Sequence, residues 1–387
     1  MNLPAARILF VTHVGDPGGA EFKMMAIAGT MPDSAEVLLL QHGSLEALLR
    51  DAGIRASVLP MAATTRVVRR EGGLLSILRA IPGSLATVVR LARKARGYDV
   101  VVCFSQKAFV LASLAKPFMR RPILWFMNDI LSAEHFNPTL IRMLILLSRV
   151  TANGVALVSQ ESLNAWLRAG GRRAGVSVVV SGIDPAQIAR QLGDSARVAD
   201  LRRRFSPDGK PLVGMFGRIC RWKGQDVFLR AMALVPEANG VIAGAALFEE
   251  RAFERELHDL ARELGVSDRV SFAGHVDGAM TLMAACEVVA HCSTAPEPSG
   301  RVIAEAMFAG TPVIGSDAGG VPEFISHGET GQLTPLNDPE ALAVAIRRYL
   351  ENPDWSREVA VKARRRAEEN FSSRATILGF QRAIEAL

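Results

Sequence analysis

Two carboxylates in the stretch PEPSGRVIAEAM, Glu297 and Glu305, stand eight positions apart around a Ser-Gly-Arg turn. The strand-like EVVAHCS ends just before them, and GRVIAEAMFAG has helical composition closed by Gly310 and Pro312. Glu297 is therefore expected in a loop and Glu305 inside a helix. That helix starts near Ser299, Gly300 and Arg301, where unpaired backbone N–H groups and the positive end of the helix dipole attract an anion. A carboxylate accepts two hydroxyl protons, so one glutamate suits a ribose and the other a hexose, with the N–H groups between them on bridging phosphates.

A second stretch, GRICRWKG at residues 217–224, follows the strand-like PLVGMF and precedes the helix-like QDVFLRAMALV. Glycine lets the backbone approach a ligand, Arg218 can fork onto phosphate oxygens, and Lys223 adds a mobile point charge. A diphosphate satisfies both cations, while a solvated basic turn is the competing reading of these residues alone. A third stretch, THVGDPGGAE, opens a helix with Gly15, Gly18 and Gly19. Its G-x-x-G-G spacing departs from the dinucleotide fingerprint, and the second strand ends in Gln41 and His42 with no acidic residue, so a nicotinamide site is disfavoured. Backbone N–H groups at such a helix start, Gly19 among them, can still meet an anion or sugar, or the glycines can serve only a tight turn.

The elements that must hold these residues alternate along the whole chain. RILFVTH, AEVLLLQ, YDVVVCF, PILWFM and GVALVS each lead into a helix-period segment, and the pattern restarts with PLVGMFGR, GVIAGAA, RVSFAGH, EVVAHCS and TPVIGSD. This is βαβ repetition and predicts an α/β protein of two doubly wound parallel sheets facing a central cleft. The expected boundaries are a first domain at 1–184, a polar linker at 185–210, a second domain at 211–370, and a final helix at 371–387 returning to the first domain. The length of 387 residues exceeds one ordinary core and agrees with two.

Four scattered cysteines without zinc spacing and no long apolar run lead to the expectation of a reduced, cytoplasmic, metal-free chain, and no cofactor is expected. The net charge of +6 is uneven: residues 1–184 hold 21 Lys/Arg against 12 Asp/Glu, residues 185–387 hold 24 against 27. Basic clusters at Arg66, Arg69, Arg70 and at Arg90, Arg93, Lys94, Arg96 suit an anionic surface or merely a solvated face. Peripheral association with an anionic membrane is one reading of these clusters and a solvated face the other, and no nucleic-acid partner is expected.

The E-x7-E spacing after a strand, G-R-x4-K-G about 80 residues earlier and GG-A-E near the N-terminus, with GTPVIGSDAGGVPEFISHGETGQLTP beyond them, resemble the family 4 glycosyltransferases of the two-Rossmann-domain GT-B fold. The likeness spans essentially the whole chain and is strongest from residue 211 onward. It implies transfer of a sugar from a nucleotide-diphosphate donor to a glycan or lipid-linked acceptor, with retention of configuration and without a metal. It places Arg218 and Lys223 on the donor diphosphate, Glu297 on the hexose hydroxyls and Glu305 on the ribose. The backbone at Gly19 and from Ser299 through Gly300 to Arg301 touches phosphate or sugar, and His275, in FAGH, lies beside the nucleobase.

The chain departs from the family pattern at three points. Ser299 replaces the usual aromatic and Ser181 the usual asparagine. Asn128, in WFMNDIL, stands where a histidine commonly follows this strand; it can bond a sugar hydroxyl but cannot carry charge. His13 and His135 are the candidates to take over in space. Two rival functions remain at this stage: a nucleotide-sugar epimerase or hydrolase of the same fold, and a catalytically weak nucleotide-sugar-binding partner subunit. The apolar TLIRMLILLSRV is expected as a buried helix rather than a membrane-seeking one.

Overall fold

The computed structural model describes residues 6–61, 74–246 and 250–387, with side chains from residue 84 onward in the helix Leu74–Ala95. The chain forms two compact units, residues 1–181 with 373–387, and residues 182–372. Each is an α/β, Rossmann-like unit built on one wholly parallel sheet.

In the first unit seven strands run in the order β3-β2-β1-β4-β5-β6-β7. They are β1 (Ile8–Thr12), β2 (Ala35–Leu39), β3 (Ala56–Val58), β4 (Val100–Cys103), β5 (Ile123–Met127), β6 (Gly154–Leu157) and β7 (Val176–Val178). Burial on both faces explains the apolar runs of β1, β2, β4, β5 and β6, while the edge strands β3 and β7 are only partly covered. Leu9 and Val11 point to the face covered by the helices Leu74–Ala95, Gln106–Met119 and Pro138–Thr151. Ile8 and Phe10 point to the other, covered by Gly19–Ala28, Leu45–Asp51 and Ser373–Glu385. Pro138–Thr151 buries Leu144 and Ile145 but leaves its opposite side in solvent.

In the second unit six strands run β10-β9-β8-β11-β12-β13, namely β8 (Leu212–Phe216), β9 (Asn239–Ala243), β10 (Val270–Gly274), β11 (Val288–His291), β12 (Val313–Ser316) and β13 (Gln332–Thr334). The edge strands β7 and β13 have three residues each, too few to show a period.

The stretch expected as a linker is folded. Residues 185–210 contain the helices Pro185–Leu192 and Ser195–Phe205, each capped by an aspartate, Asp184 and Asp194. Ile188, Leu192, Val198 and Leu201 are half-buried against the second unit's core. Only Phe205 of the two helices is fully buried, so their composition reads as polar although they pack. The units divide at Ser181/Gly182 and Ser372/Ser373, so the last helix belongs to the first unit.

Candidate functional site

The second unit gathers its chemistry at the carboxyl ends of β8 and β11. After β8 the chain turns at Gly217, exposes Arg218, and makes a short 3-10 turn, Arg221–Lys223. The buried Gln225 donates to the Arg218 carbonyl at 3.0 Å and fixes the loop from beneath. Gly224 has φ +75°, and a Cβ there would lie 2.0 Å from the Cys292 carbonyl oxygen, so only glycine lets the loop sit against the end of β11.

Lys223 Nζ lies 2.5 Å from Glu297 Oε1. The same oxygen accepts from His291 Nε2 at 2.8 Å and from the Ser293 hydroxyl. Glu297 is 6 % exposed and His291 4 %. Burial works against the Glu297 charge, but Lys223 and His291 outweigh it and hold the carboxyl well below the usual carboxylate range. Three donors converging on one oxygen thus keep a buried glutamate ionised. His291 Nδ1 is buried with no partner among the described residues.

The Glu297 backbone is also clamped. Gly319, at φ +62°, approaches so closely that a Cβ would stand 2.3 Å from the Glu297 carbonyl oxygen, and Gly320 N–H donates to that oxygen at 2.7 Å. The Gly-Gly pair of GSDAGGVPE therefore holds Glu297 from the far side of β12.

Ser299 and Gly300 follow, and Gly300 caps the helix Arg301–Ala309 with no side-chain cap hydrogen bond, which puts the positive end of the helix at this turn. Glu305 lies one turn into this helix and takes Arg301 Nε at 3.0 Å, both side chains mostly buried. His275 lies just beyond β10, exposed and 3.3 Å from Asp277. Arg218, Lys223, Glu297, Ser299, Gly300, Arg301, Glu305 and His275 thus all belong to the second unit. The sequence reading missed His291 and Ser293; the one signal was a polar HCS ending an otherwise apolar strand.

Gly19 and Asn128 belong to the first unit. Gly19 is the exposed first residue of the helix Gly19–Ala28. In the same helix Glu21 reaches back to the Gly18 N–H at 3.1 Å and to the Thr12 hydroxyl at 3.4 Å. Burial pushes its carboxyl up despite these hydrogen bonds, and Asp129 adds to the rise. Asn128 Oδ1 accepts from Lys23 Nζ at 3.0 Å, while its amide donates to the Phe104 carbonyl at 3.1 Å. Lys23 is 3 % exposed and lies over the Phe126 ring at 5.0 Å. The charge that meets Asn128 is therefore a lysine on the first helix, which the reading of His13 and His135 did not anticipate. Arg66, Arg69 and Arg70 lie outside the described residues.

Comparison with known proteins places this geometry in a family. The family model described as "Glycosyl transferases group 1" matches residues 198–370. A crystal structure of Anabaena Alr3699/HepE in complex with UDP and glucose superposes with a TM-score of 0.89 at 34 % identity, covering 99 % of this chain and 100 % of that one. The lipopolysaccharide core biosynthesis mannosyltransferase LpcC of Rhizobium leguminosarum bv. viciae is 36 % identical over 174 residues, 42 % of this chain and 47 % of its own length. A GDP-mannose-dependent alpha-(1-6)-phosphatidylinositol monomannoside mannosyltransferase of Mycobacterium tuberculosis is 31 % identical over 219 residues, 54 % of this chain and 55 % of its own. The chain spans about half the length of the curated relatives it matches.

Proposed function

The chain belongs to the group 1 glycosyl transferases, and on that premise we propose that it moves a sugar from a nucleotide-diphosphate donor to an acceptor, with retention of configuration. The observation that carries this reading is the buried Lys223–Glu297–His291 cluster beside the uncapped start of the helix Arg301–Ala309. A fixed carboxylate for sugar hydroxyls, with Arg218, Lys223 and the helix start for phosphate, makes up the proposed donor subsite. The Anabaena protein, whose crystals hold UDP with glucose, supports a nucleotide donor.

In this reading Arg218, Lys223 and the N–H groups of Ser299, Gly300 and Arg301 stabilise the diphosphate as its bond to the sugar C1 breaks, where negative charge develops. They supply the positive charge for which other enzymes use a metal. The acceptor oxygen bonds C1 on the face the diphosphate leaves, and its proton passes to the departing phosphate oxygen. Glu297 binds hexose hydroxyls, its Oε1 held by Lys223, His291 and Ser293. Glu305 takes the ribose, and His275 lies beside the base. On the first unit, Asn128 offers a hydrogen bond to a sugar hydroxyl, with Lys23 providing the charge that an asparagine lacks. The acceptor is a glycan or a lipid-linked sugar of cell-surface polysaccharide synthesis, in keeping with the lipopolysaccharide core relative.

Thermal unfolding with UDP-, GDP- and ADP-sugars tests the donor. A ligand at a hundred times its dissociation constant stabilises by about 2.7 kcal/mol, a readily visible rise in Tm. NMR of the product formed on an added glycan acceptor then reads the anomeric configuration. Absence of stabilisation by any nucleotide sugar removes the donor assignment, and an inverted product removes the front-side mechanism.

A further inference from the structure

The helices Leu74–Ala95, Gln106–Met119 and Pro138–Thr151 lie side by side over one face of the first sheet. They contain four, two and two Lys/Arg respectively, and no Asp or Glu. Their solvent sides carry large apolar groups at helical spacing. Leu85, Val89 and Arg93 form one ridge of residues four apart; Leu114 and Phe118 form a second; Arg142, Leu146 and Val150 form a third. Leu85 is 63 % exposed, Phe118 56 %, Leu146 63 % and Val150 76 %. Arg90, Arg93 and Arg142 are exposed among them.

An ordinary solvated surface intersperses both charge signs and avoids apolar patches. The helix Pro353–Asn370 of the second unit intersperses both signs, carrying Arg364 with Glu368 and Arg365 with Glu369 as i,i+4 pairs. The three-helix face of the first unit breaks that rule twice, by exposing apolar ridges and by carrying Arg90, Arg93 and Arg142 on helices that contain no carboxylate, although Lys94 is paired with Glu36 of β2. A second copy of the same face is a poor occupant, since it would set like charges against one another.

We propose that this face docks on an anionic bilayer, with the apolar ridges entering the boundary between headgroups and acyl chains and the arginines meeting the headgroups. No helix among the described residues is long and apolar enough to cross a membrane, so these three lie on the surface and do not span it. The proposal is independent of the donor chemistry and uses none of its residues.

Co-sedimentation with phosphatidylcholine vesicles, with and without phosphatidylglycerol, tests it. The chain should sediment with the anionic vesicles only and be released by salt. The Arg90→Gln/Arg93→Gln/Arg142→Gln variant should bind anionic vesicles more weakly by roughly fivefold per charge removed. Phe118→Ser/Leu146→Ser should also weaken binding, which adsorption by charge alone would not show. All five positions are exposed, so the substitutions leave the core untouched. Equal recovery on neutral and anionic vesicles, or wild-type binding by the triple variant, overturns the proposal. A lipid-free dimer in sedimentation equilibrium that Phe118→Ser/Leu146→Ser dissolves would overturn it in favour of self-association.

Discussion

Glu297 in the second unit and Glu21 in the first are almost equally buried, at 6 % and 5 % exposure, and each lies close behind the carboxyl end of a strand. Burial alone would push both carboxyls up. Glu297 instead falls well below its ordinary 4.5, because Lys223 and His291 overcome desolvation. Glu21 has only backbone N–H groups and a hydroxyl against desolvation, with Asp129 adding repulsion, and it rises. The two sites differ in whether a cation from a distant segment, here Lys223, reaches the carboxylate. The second unit is thus built to keep a charge buried, as a site for polar ligands requires, whereas Glu21 serves mainly to hold the start of its helix.

The largest test of this contrast is removal of each carboxylate. Glu297→Gln leaves a buried lysine without its counter-charge and should destabilise the second unit by about 3 kcal/mol or more. Glu21→Gln, which keeps the hydrogen-bonding shape of the side chain and leaves no buried cation unpaired, should cost about 1 kcal/mol or less. Urea unfolding followed separately for the two units decides it, and equal losses would end the comparison.

Next in size is catalysis in the second unit. Arg218→Ala and Lys223→Ala should each lower kcat by about 10²-fold, if their charges act on the departing diphosphate. A change confined to KM would make them binding residues only. EDTA should leave wild-type activity in place, and its loss would show that a metal supplies part of the charge.

A smaller effect separates the two carboxylates within the second unit. Glu305→Ala should weaken binding of the free nucleoside diphosphate by about tenfold, the loss of one good charged hydrogen bond. Glu297→Ala should leave that affinity nearly unchanged while removing turnover. Calorimetry with the nucleotide alone distinguishes them, and equal losses refute the assignment of ribose to one and hexose to the other.

The smallest effect is the pH dependence of stability, which should have opposite sign in the two units. Glu297 has a folded pKa below its unfolded value. Its contribution is therefore full above about 4.5 and is lost as pH falls from there towards the folded value. Glu21 has a folded pKa above its unfolded value, so its contribution is present below about 4.5 and is lost as pH rises through the folded value. Denaturation midpoints measured across this acid range should shift with pH in Glu297→Gln and Glu21→Gln differently from wild type, and in opposite directions.

Much of the architecture was legible along the chain. Ten of the strands announce themselves as apolar runs, because a strand buried on both faces needs apolar residues at every position. The edge strands β7 and β13 were not legible at three residues, and the helices of residues 185–210 were hidden by how little they bury. The loop carrying Arg218 and Lys223 and the glutamates flanking the Ser-Gly-Arg turn could be found by spacing, since each is local. His291 and Lys23 could not, since His291 ends an otherwise apolar strand and Lys23 lies in a mostly apolar helix whose spacing gives no sign of the distant Asn128 it meets.

By itself, then, the sequence determined the periodicities that make two parallel sheets, the turns that need glycine, and the residue types able to meet phosphates and hydroxyls. Only tertiary structure decided which of them meet. Lys223 reaches Glu297 across 74 residues of chain and Lys23 reaches Asn128 across 105. Gly319 presses on the Glu297 backbone from another strand's end. The charge state of a buried carboxylate depends on which ions stand within a few ångströms of it, and those distances are set by how the strands stack, which spacing along the chain does not encode.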